Sequence, residues 1–305
     1  MKEARLLIIT CIFMLLSACG GTTGRLVSDN PNERGRGIQE LDAMSPQEKA
    51  KLVPELAAAL GDKRVPVRRG AADSLQRIGP GASAAVPNLV KALADDDNEV
   101  RISAADALVR IGKPSVSGLV KTLKDKSHYV RWRSVEIIGR IGPEARAAVP
   151  ALITAATKEK RGNMRWEALR ALVQVKPSGA KVANAYTISL RDSKAQIRSA
   201  AANGLGEMNP KPLKALPALG RILSDPEIGV RAKAFEAMSK FGPPAIPYFI
   251  SAMKSADADV RKRAVNAVVK SGLPAVKALT AAAQDKDPNV KNSAAEALQR
   301  IKSNR

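Results

Sequence analysis

The 305-residue chain is long enough for one or two globular domains, yet aromatic residues make up only 3% of it while alanine recurs in nearly every block of ten. That balance excludes a large sheet core of β-branched and aromatic side chains and favours alanine-rich helix packing. A single histidine, His128, excludes any site with two or three histidine ligands, and 50 Lys+Arg against 29 Asp+Glu give a net charge of +21 that favours anionic partners.

The chain opens with Lys2 and Arg5, followed by an apolar run of about eleven residues, 6–16. Such a run is too short to span a bilayer as a helix and suits the core of an export signal. It ends in Leu16-Ser17-Ala18-Cys19, then Gly20-Gly21-Thr22-Thr23-Gly24. These four residues resemble a bacterial lipobox, whose cysteine is acylated before cleavage. The resemblance implies a signal peptide over 1–18, a lipid anchor at Cys19 and, with Gly20 rather than Asp after it, the periplasmic face of the outer membrane. Cys11 would leave with the signal, so no second thiol remains for a disulfide or a zinc site. Residues 19–31 are small and polar and are expected to form a flexible lipidated tether.

From residue 32 to 305 the chain repeats itself. A hydrophobic-Arg pair recurs at Val67-Arg68, Val100-Arg101, Val130-Arg131, Met164-Arg165, Ile197-Arg198, Val230-Arg231 and Val260-Arg261, and ends as Val290-Lys291. The spacings are 33, 30, 34, 33, 33, 30 and 30 residues, and a degenerate copy runs from Glu33-Arg34 to Met44. Within a copy, Val67, Ala71, Leu75 and Ile78 follow helical period, and the helix stops at Gly79-Pro80. The same stop recurs at Gly112, Gly142-Pro143, Gly242-Pro243 and Gly272. A second apolar stretch precedes each pair and often opens on proline, as at Pro54, Pro87, Pro150, Pro217 and Pro247. Each unit is therefore a helical hairpin, helix A then helix B, unable to bury its stripe alone.

The segment Asp95-Asp96-Asp97-Asn98-Glu99-Val100-Arg101-Ile102-Ser103-Ala104-Ala105-Asp106-Ala107-Leu108 resembles a HEAT-like repeat of the phycobilisome-lyase type. The resemblance implies an all-α, right-handed α-solenoid of about eight and a half hairpins. It also implies a structural ladder of turn carboxylates and helix B arginines, Asp62, Arg68, Asp95, Arg101, Asp125, Arg131, Asp192, Arg198, Asp225 and Arg231, that binds turns and neighbouring repeats together. Each carboxylate stands six residues before its arginine, where it also serves free N–H groups at a helix start. Glu159 takes this place before Arg165, Asp285 before Lys291, and Ser255 is the exception.

No catalytic, metal or cofactor site emerges. The Asp95-Asp96-Asp97 triplet lacks the spacing of a calcium loop and is expected to be a capped turn, and His128 a solvated turn residue. Deoxyhypusine hydroxylases share the repeat class but need several His-Glu ligands that this chain lacks. The feature that departs from the repeat average is Trp132 and Trp166, at the same position of adjacent repeats, directly after the arginine. With Ile102 one repeat earlier, and with Arg133, Arg140, Arg161 and Arg170 around them, they are candidates for a partner-binding patch; the competing reading is that the rings fill a packing irregularity.

The expected function is a non-enzymatic, membrane-anchored scaffold that binds a protein or an anionic envelope polymer along its concave basic face. The alternative is a nucleic-acid-binding protein similar to HEAT-like alkylpurine DNA glycosylases, with Glu136 or Glu167 as candidate carboxylates. Export argues against nucleic acid as the partner.

Overall fold

The structure is a computed structural model that describes residues 21–303. Cys19, the apolar run before it and the last two residues lie outside the described residues. Every regular element among the described residues is helical, giving an all-α solenoid built from hairpins. It divides into two compact units, one ending at Ala148 and the other starting at Val149, whereas the sequence pattern suggests one continuous array.

In the first unit a short helix α1 (Thr22–Leu26) precedes a lone helix α2 (Pro31–Ala43), the degenerate copy. Three pairs follow: α3 (Pro46–Ala59) with α4 (Val65–Ile78), α5 (Val86–Ala92) with α6 (Asn98–Ile111), and α7 (Val116–Thr122) with α8 (His128–Ile141). The second unit holds five pairs: α9 (Val149–Lys158) with α10 (Gly162–Val175), α11 (Ala180–Ser189) with α12 (Ala195–Glu207), α13 (Leu216–Arg221) with α14 (Ile228–Ser239), α15 (Ile246–Ala252) with α16 (Ala258–Ser271), and α17 (Val276–Ala282) with α18 (Pro288–Ser303). Helix B packs on helix B within each unit, α4 on α6 and α12 on α14 among them. The stripe behaves as its period demands: Val67, Ala71 and Leu75 are buried, as are Val100, Ala104 and Leu108, while Ile78 at the helix end is half-buried.

The stops work through backbone geometry. Gly79, Gly112, Gly142, Gly242 and Gly272 all take φ between 67° and 75°, a region that costs a side chain but not glycine. After α10 the same role falls to Lys176 at φ 52°. The proline signal fails once. Pro54 does not open α3 but lies inside it, because a Ser45–Glu48 capping box starts the helix eight residues earlier, at Pro46. Pro87, Pro150, Pro217 and Pro247 stand in first turns as expected. Helix α18 buries Val290, Ala294, Ala297 and Ile301 on one face and carries polar residues on the other.

The expected flexible tether is corrected in part. Residues 22–26 form α1, which docks with Thr23, Leu26 and Val27 buried. Arg25 pairs with Glu40, whose carboxylate also accepts the Thr22 hydroxyl at 2.7 Å. The docking depends on two glycines: a Cβ at Gly70 would stand 2.4 Å from the Leu26 carbonyl oxygen, and one at Gly37 would stand 2.7 Å from the Leu26 nitrogen. Small residues that read as linker composition here supply a close backbone approach. Gly70→Ala should therefore release α1, raising hydrogen-exchange rates over residues 22–27 roughly tenfold while α4 gains about 1 kcal/mol of helix propensity. Unchanged protection over those residues would mean that the close approach does not hold α1.

Candidate partner-binding interface

The most regular polar structure is the ladder, which joins each turn to the next repeat. Each arginine holds the turn before its own helix through carbonyls, not through the carboxylate six residues back. Arg68 donates Nη1 to the Asp62 carbonyl at 2.9 Å, Arg198 to that of Asp192 at 2.9 Å and Arg231 to that of Asp225 at 2.8 Å. The carboxylate partner belongs to the next repeat, 27 residues on. Arg68 forks onto Asp95 at 2.7 and 2.8 Å, Arg165 onto Asp192 at 2.7 and 3.0 Å, and Arg198 onto Asp225 at 2.7 and 2.8 Å. Each carboxylate also accepts a backbone N–H two residues ahead, such as Glu227 N–H to Asp225 at 3.0 Å. One guanidinium thus clamps two successive turns.

Burial by itself would raise the Asp95, Asp192 and Asp225 carboxyls, but the arginine forks and backbone N–H groups outweigh it and hold all three below the usual carboxylate range. Asp62 is held low the same way, with Arg64 as its partner. The acids raise the Arg68, Arg165 and Arg198 guanidinium groups in turn.

The fork forms where the hydrophobic-Arg pairs are 33 residues apart and is missing where they are 30 apart. Arg101 reaches the Asp95 and Asp96 carbonyls at 2.7 and 2.9 Å but makes no ion pair with Asp125; its guanidinium lies 5.2 Å over the Tyr129 ring instead. Asp125 accepts the Ser127 N–H at 2.7 Å, and Arg131 holds the Asp125 and Lys126 carbonyls. Ser255 stands in sequence where the next ladder acid would be, and Arg231 reaches Asp257 and Asp259 at 3.4 Å. The linker explains the difference. Between α4 and α5 it is the seven-residue turn Gly79–Ala85, and between α6 and α7 the four residues 112–115. Shortening it brings the next carboxylate three residues nearer in sequence and out of reach of the fork.

Asp95-Asp96-Asp97 is the capped turn expected of it: Asp95 takes the Arg68 fork and Asp97 accepts the Val100 N–H at 3.0 Å. His128 departs from expectation, being half-buried at the start of α8 with a buried Nε2 that lacks a hydrogen-bond partner. Among the described residues no cluster of His, Cys, Asp or Glu could hold a metal, and no helix is long and apolar enough to cross a membrane.

Trp132 lies on α8 in the first unit and Trp166 on α10 in the second, and both are half-buried rather than exposed. Trp132 leans on Tyr129 with ring centroids 6.2 Å apart, and Ile102 is half-buried on α6. The basic rim of Trp132 is already engaged. Arg133 is captured by Glu136 at 2.7 Å, with its side chain only 14% exposed, and Arg140 by Asp106 at 2.8 Å and Glu136 at 3.6 Å. A carboxylate one helical turn away claims each guanidinium, so Arg133 and Arg140 form no free cationic rim. The same pairs occupy Glu136, and Glu167 is 3% exposed beside Arg170, which removes the support for a glycosylase-like carboxylate. Arg161 is the exposed N-cap residue of α10, off the helix that carries Trp166.

A second ladder went unread in the sequence, although the same alignment contains it. Nine residues after the ladder position six of the eight helices carry a base, as in Arg77, Arg140, Lys240 and Arg300, and α12 carries Glu207; five after it most carry an acid or amide, as in Asp106, Glu136, Glu236 and Asn266. Arg140 bridges to Asp106, Lys240 to Glu207 at 2.6 Å and Glu236 at 3.5 Å, and Arg300 to Asn266 at 2.8 Å. Helix α10 breaks this compensation: Arg170 stands at the acidic position and Gln174 at the basic one. Arg170 lies 4.8 Å over the Trp166 ring and makes a 3.3 Å contact with Glu167. Beside it an open groove runs between α10 and α12, lined by Trp166, Arg170, Gln174, Ser199, Asn203 and Lys233 among others, with no carboxylate in its lining.

The sequence profile described as HEAT repeats matches residues 24–109, 116–186, 184–266 and 246–305. No curated protein sequence matches the chain. Among solved structures, yeast importin-β, Kap95p, is similar at a TM-score of 0.56 and 14% identity, over 94% of this chain and 46% of that one. The Kap95:Nup1 complex reaches 0.60 at 14% identity, over 92% and 45%. The CpcE and CpcF complex of phycocyanin lyase from Nostoc is 24% identical over 50% of this chain and 98% of that one, at a TM-score of 0.44. The chain thus spans less than half the length of those karyopherins, and the likeness to them is one of fold. With paired A and B helices filling both units and the profile covering nearly all of residues 24–305, the chain belongs to the HEAT-repeat family.

Proposed function

We propose that the protein is a non-enzymatic scaffold, tethered to the bacterial envelope through an acylated Cys19 and binding a protein partner through its helix B face. The observation that carries the binding part is the break in the second ladder at α10, where Arg170 stands in place of an acid or amide. On other helices Arg140 is paired with Asp106 and Lys240 with Glu207, while Trp166, Arg170 and Gln174 border a groove without a lining carboxylate. HEAT arrays present long faces built from repeated helices, which suits protein binding. The anchor rests on the lipobox-like residues 16–19 and the apolar run before them, and outer-membrane placement on Gly20. Two or three acyl chains at one residue give stable attachment.

The test uses the full chain and a Cys19→Ala variant in a bacterium, with metabolic labelling by a fatty-acid analogue, membrane fractionation and crosslinking in living cells. Expected are label on the parent chain alone, its recovery with outer membranes, and a discrete protein crosslinked to it. An unlabelled, soluble parent chain would overturn the anchor. Recovery of lipid or polysaccharide without protein would overturn the scaffold.

A further inference from the structure

We infer that the groove between α10 and α12 is a binding site for an extended acidic peptide segment, with a peptide carboxylate held by Arg170 and Lys233 and a neighbouring aliphatic side chain against Trp166. This deepens the scaffold reading and rests on it.

The argument starts from charge. Five residues after the ladder position the other helices carry Asp73, Asp106, Glu136, Glu236 and Glu296, or the amides Asn203 and Asn266; α10 alone carries a cation, Arg170. Its guanidinium lies over the indole of Trp166, an arrangement that orients the planar fork while leaving its edge donors for a carboxylate. The contact with Glu167, 3.3 Å through Nη1, uses one of five N–H donors. Lys233 reaches the same groove from α14 and is held by Glu236 at 2.6 Å, a surface pair of the kind that contributes little and exchanges readily. Both cations have a carboxylate on their own helix, but neither Glu167 nor Glu236 lines the groove, and the Arg170 side chain is 47% exposed where that of Arg133 is 14%, so its remaining donors can take a ligand carboxylate.

The rest of the lining selects the class of ligand. Gln174 and Asn203 each offer a donor and an acceptor, the pair a peptide group requires, while Leu169 and Val173 give an apolar floor. A saccharide would need an open indole face, and Arg170 covers one side of Trp166. Nucleic acid would need a continuous basic track, whereas Glu207 and Glu236 stand on the same series of helices.

The experiment uses the full chain and fluorescein-labelled octapeptides of alternating Glu and Leu, with Gln-for-Glu and Lys-for-Glu versions and an eight-nucleotide single strand as comparison probes. Anisotropy gives affinity, and Trp166 fluorescence in a Trp132→Phe background reports occupancy of the groove. The Glu-Leu peptide should bind best, weaken with salt and perturb Trp166. Affinity should fall at least tenfold in Arg170→Glu and in Trp166→Ala, and severalfold in Arg170→Lys, which keeps the charge but loses the fork. Because Arg170→Glu also disturbs Glu167, Asn203→Asp supplies a second test by adding an acid to the groove without touching that contact, and it should weaken binding by a similar factor. Failure of the Glu-Leu peptide to bind, equal affinity in Asn203→Asp, or tighter binding of the single strand or the Lys-Leu peptide would overturn the inference. Cellular crosslinking separates the two readings: a partner still captured by Arg170→Glu removes the groove and leaves the scaffold, and no protein captured by the parent chain removes the scaffold.

Discussion

Asp225→Ala is expected to destabilise the second unit by about 3 kcal/mol, as breaking a buried ion pair from one side does. The Asp225 side chain is 5% exposed and that of Arg198 12%, so removing the acid leaves a guanidinium with little water to replace it. The loss also frees the Glu227 N–H at the start of α14. Asp285→Ala is the comparison: its carboxylate accepts the Asp287 N–H at 2.9 Å but takes no fork, so about 1 kcal/mol is expected. Urea unfolding of both variants measures the difference, and a double-mutant cycle of Arg198→Ala with Asp225→Ala should give a coupling of about 1–3 kcal/mol. Equal destabilisation by the two aspartate variants would show that the fork adds nothing to the turn.

The same pairs set the response to acid. Asp95, Asp192 and Asp225 are held below their ordinary range in the folded chain, so the unfolded chain binds protons at a higher pH than the folded one. Their contribution is complete above the ordinary carboxylate range, near pH 4, and is lost as pH falls through the folded values. The urea midpoint should therefore drop between pH 5 and pH 3, and the drop should be smaller in Asp225→Ala. A midpoint independent of pH over that interval would contradict the ladder's role.

Phe249→Ala should cost about 3–5 kcal/mol. Phe249 is inaccessible on α15 and stacks with Phe235 of α14, ring centroids 5.9 Å apart and 16° from parallel. In a chain with four phenylalanines, whose stripe is mostly alanine, valine and leucine, small neighbours cannot collapse into so large a void. Because repeats are stabilised mainly by adjacent repeats, the damage should concentrate in α14, α15 and α16. Hydrogen exchange that accelerates there ahead of α10 and α18 would bear this out; uniform acceleration would show that the second unit unfolds as one cooperative block.

What could be read from the sequence is what depends on local rules. The hydrophobic-Arg period placed helix B at every copy, and the glycine stops proved to be the residues at positive φ, because both follow from helix geometry and from the steric freedom of glycine. Tertiary structure decided everything that depends on distance between repeats. The ladder arginines and acids were recognisable by spacing, but which acid each arginine takes depends on the length of the linker between helices: 27 residues of separation bring the fork to Asp95 from Arg68, and 24 leave Arg101 on Tyr129. Arg133 and Arg140 looked free beside Trp132 until Glu136 and Asp106 were found within ion-pair distance. Thr22–Leu26 reads as linker by composition and is a docked helix because Gly37 and Gly70 leave room for its backbone. Sequence period decides where a side chain points along its own helix, and only packing decides which charge or surface meets it from the next.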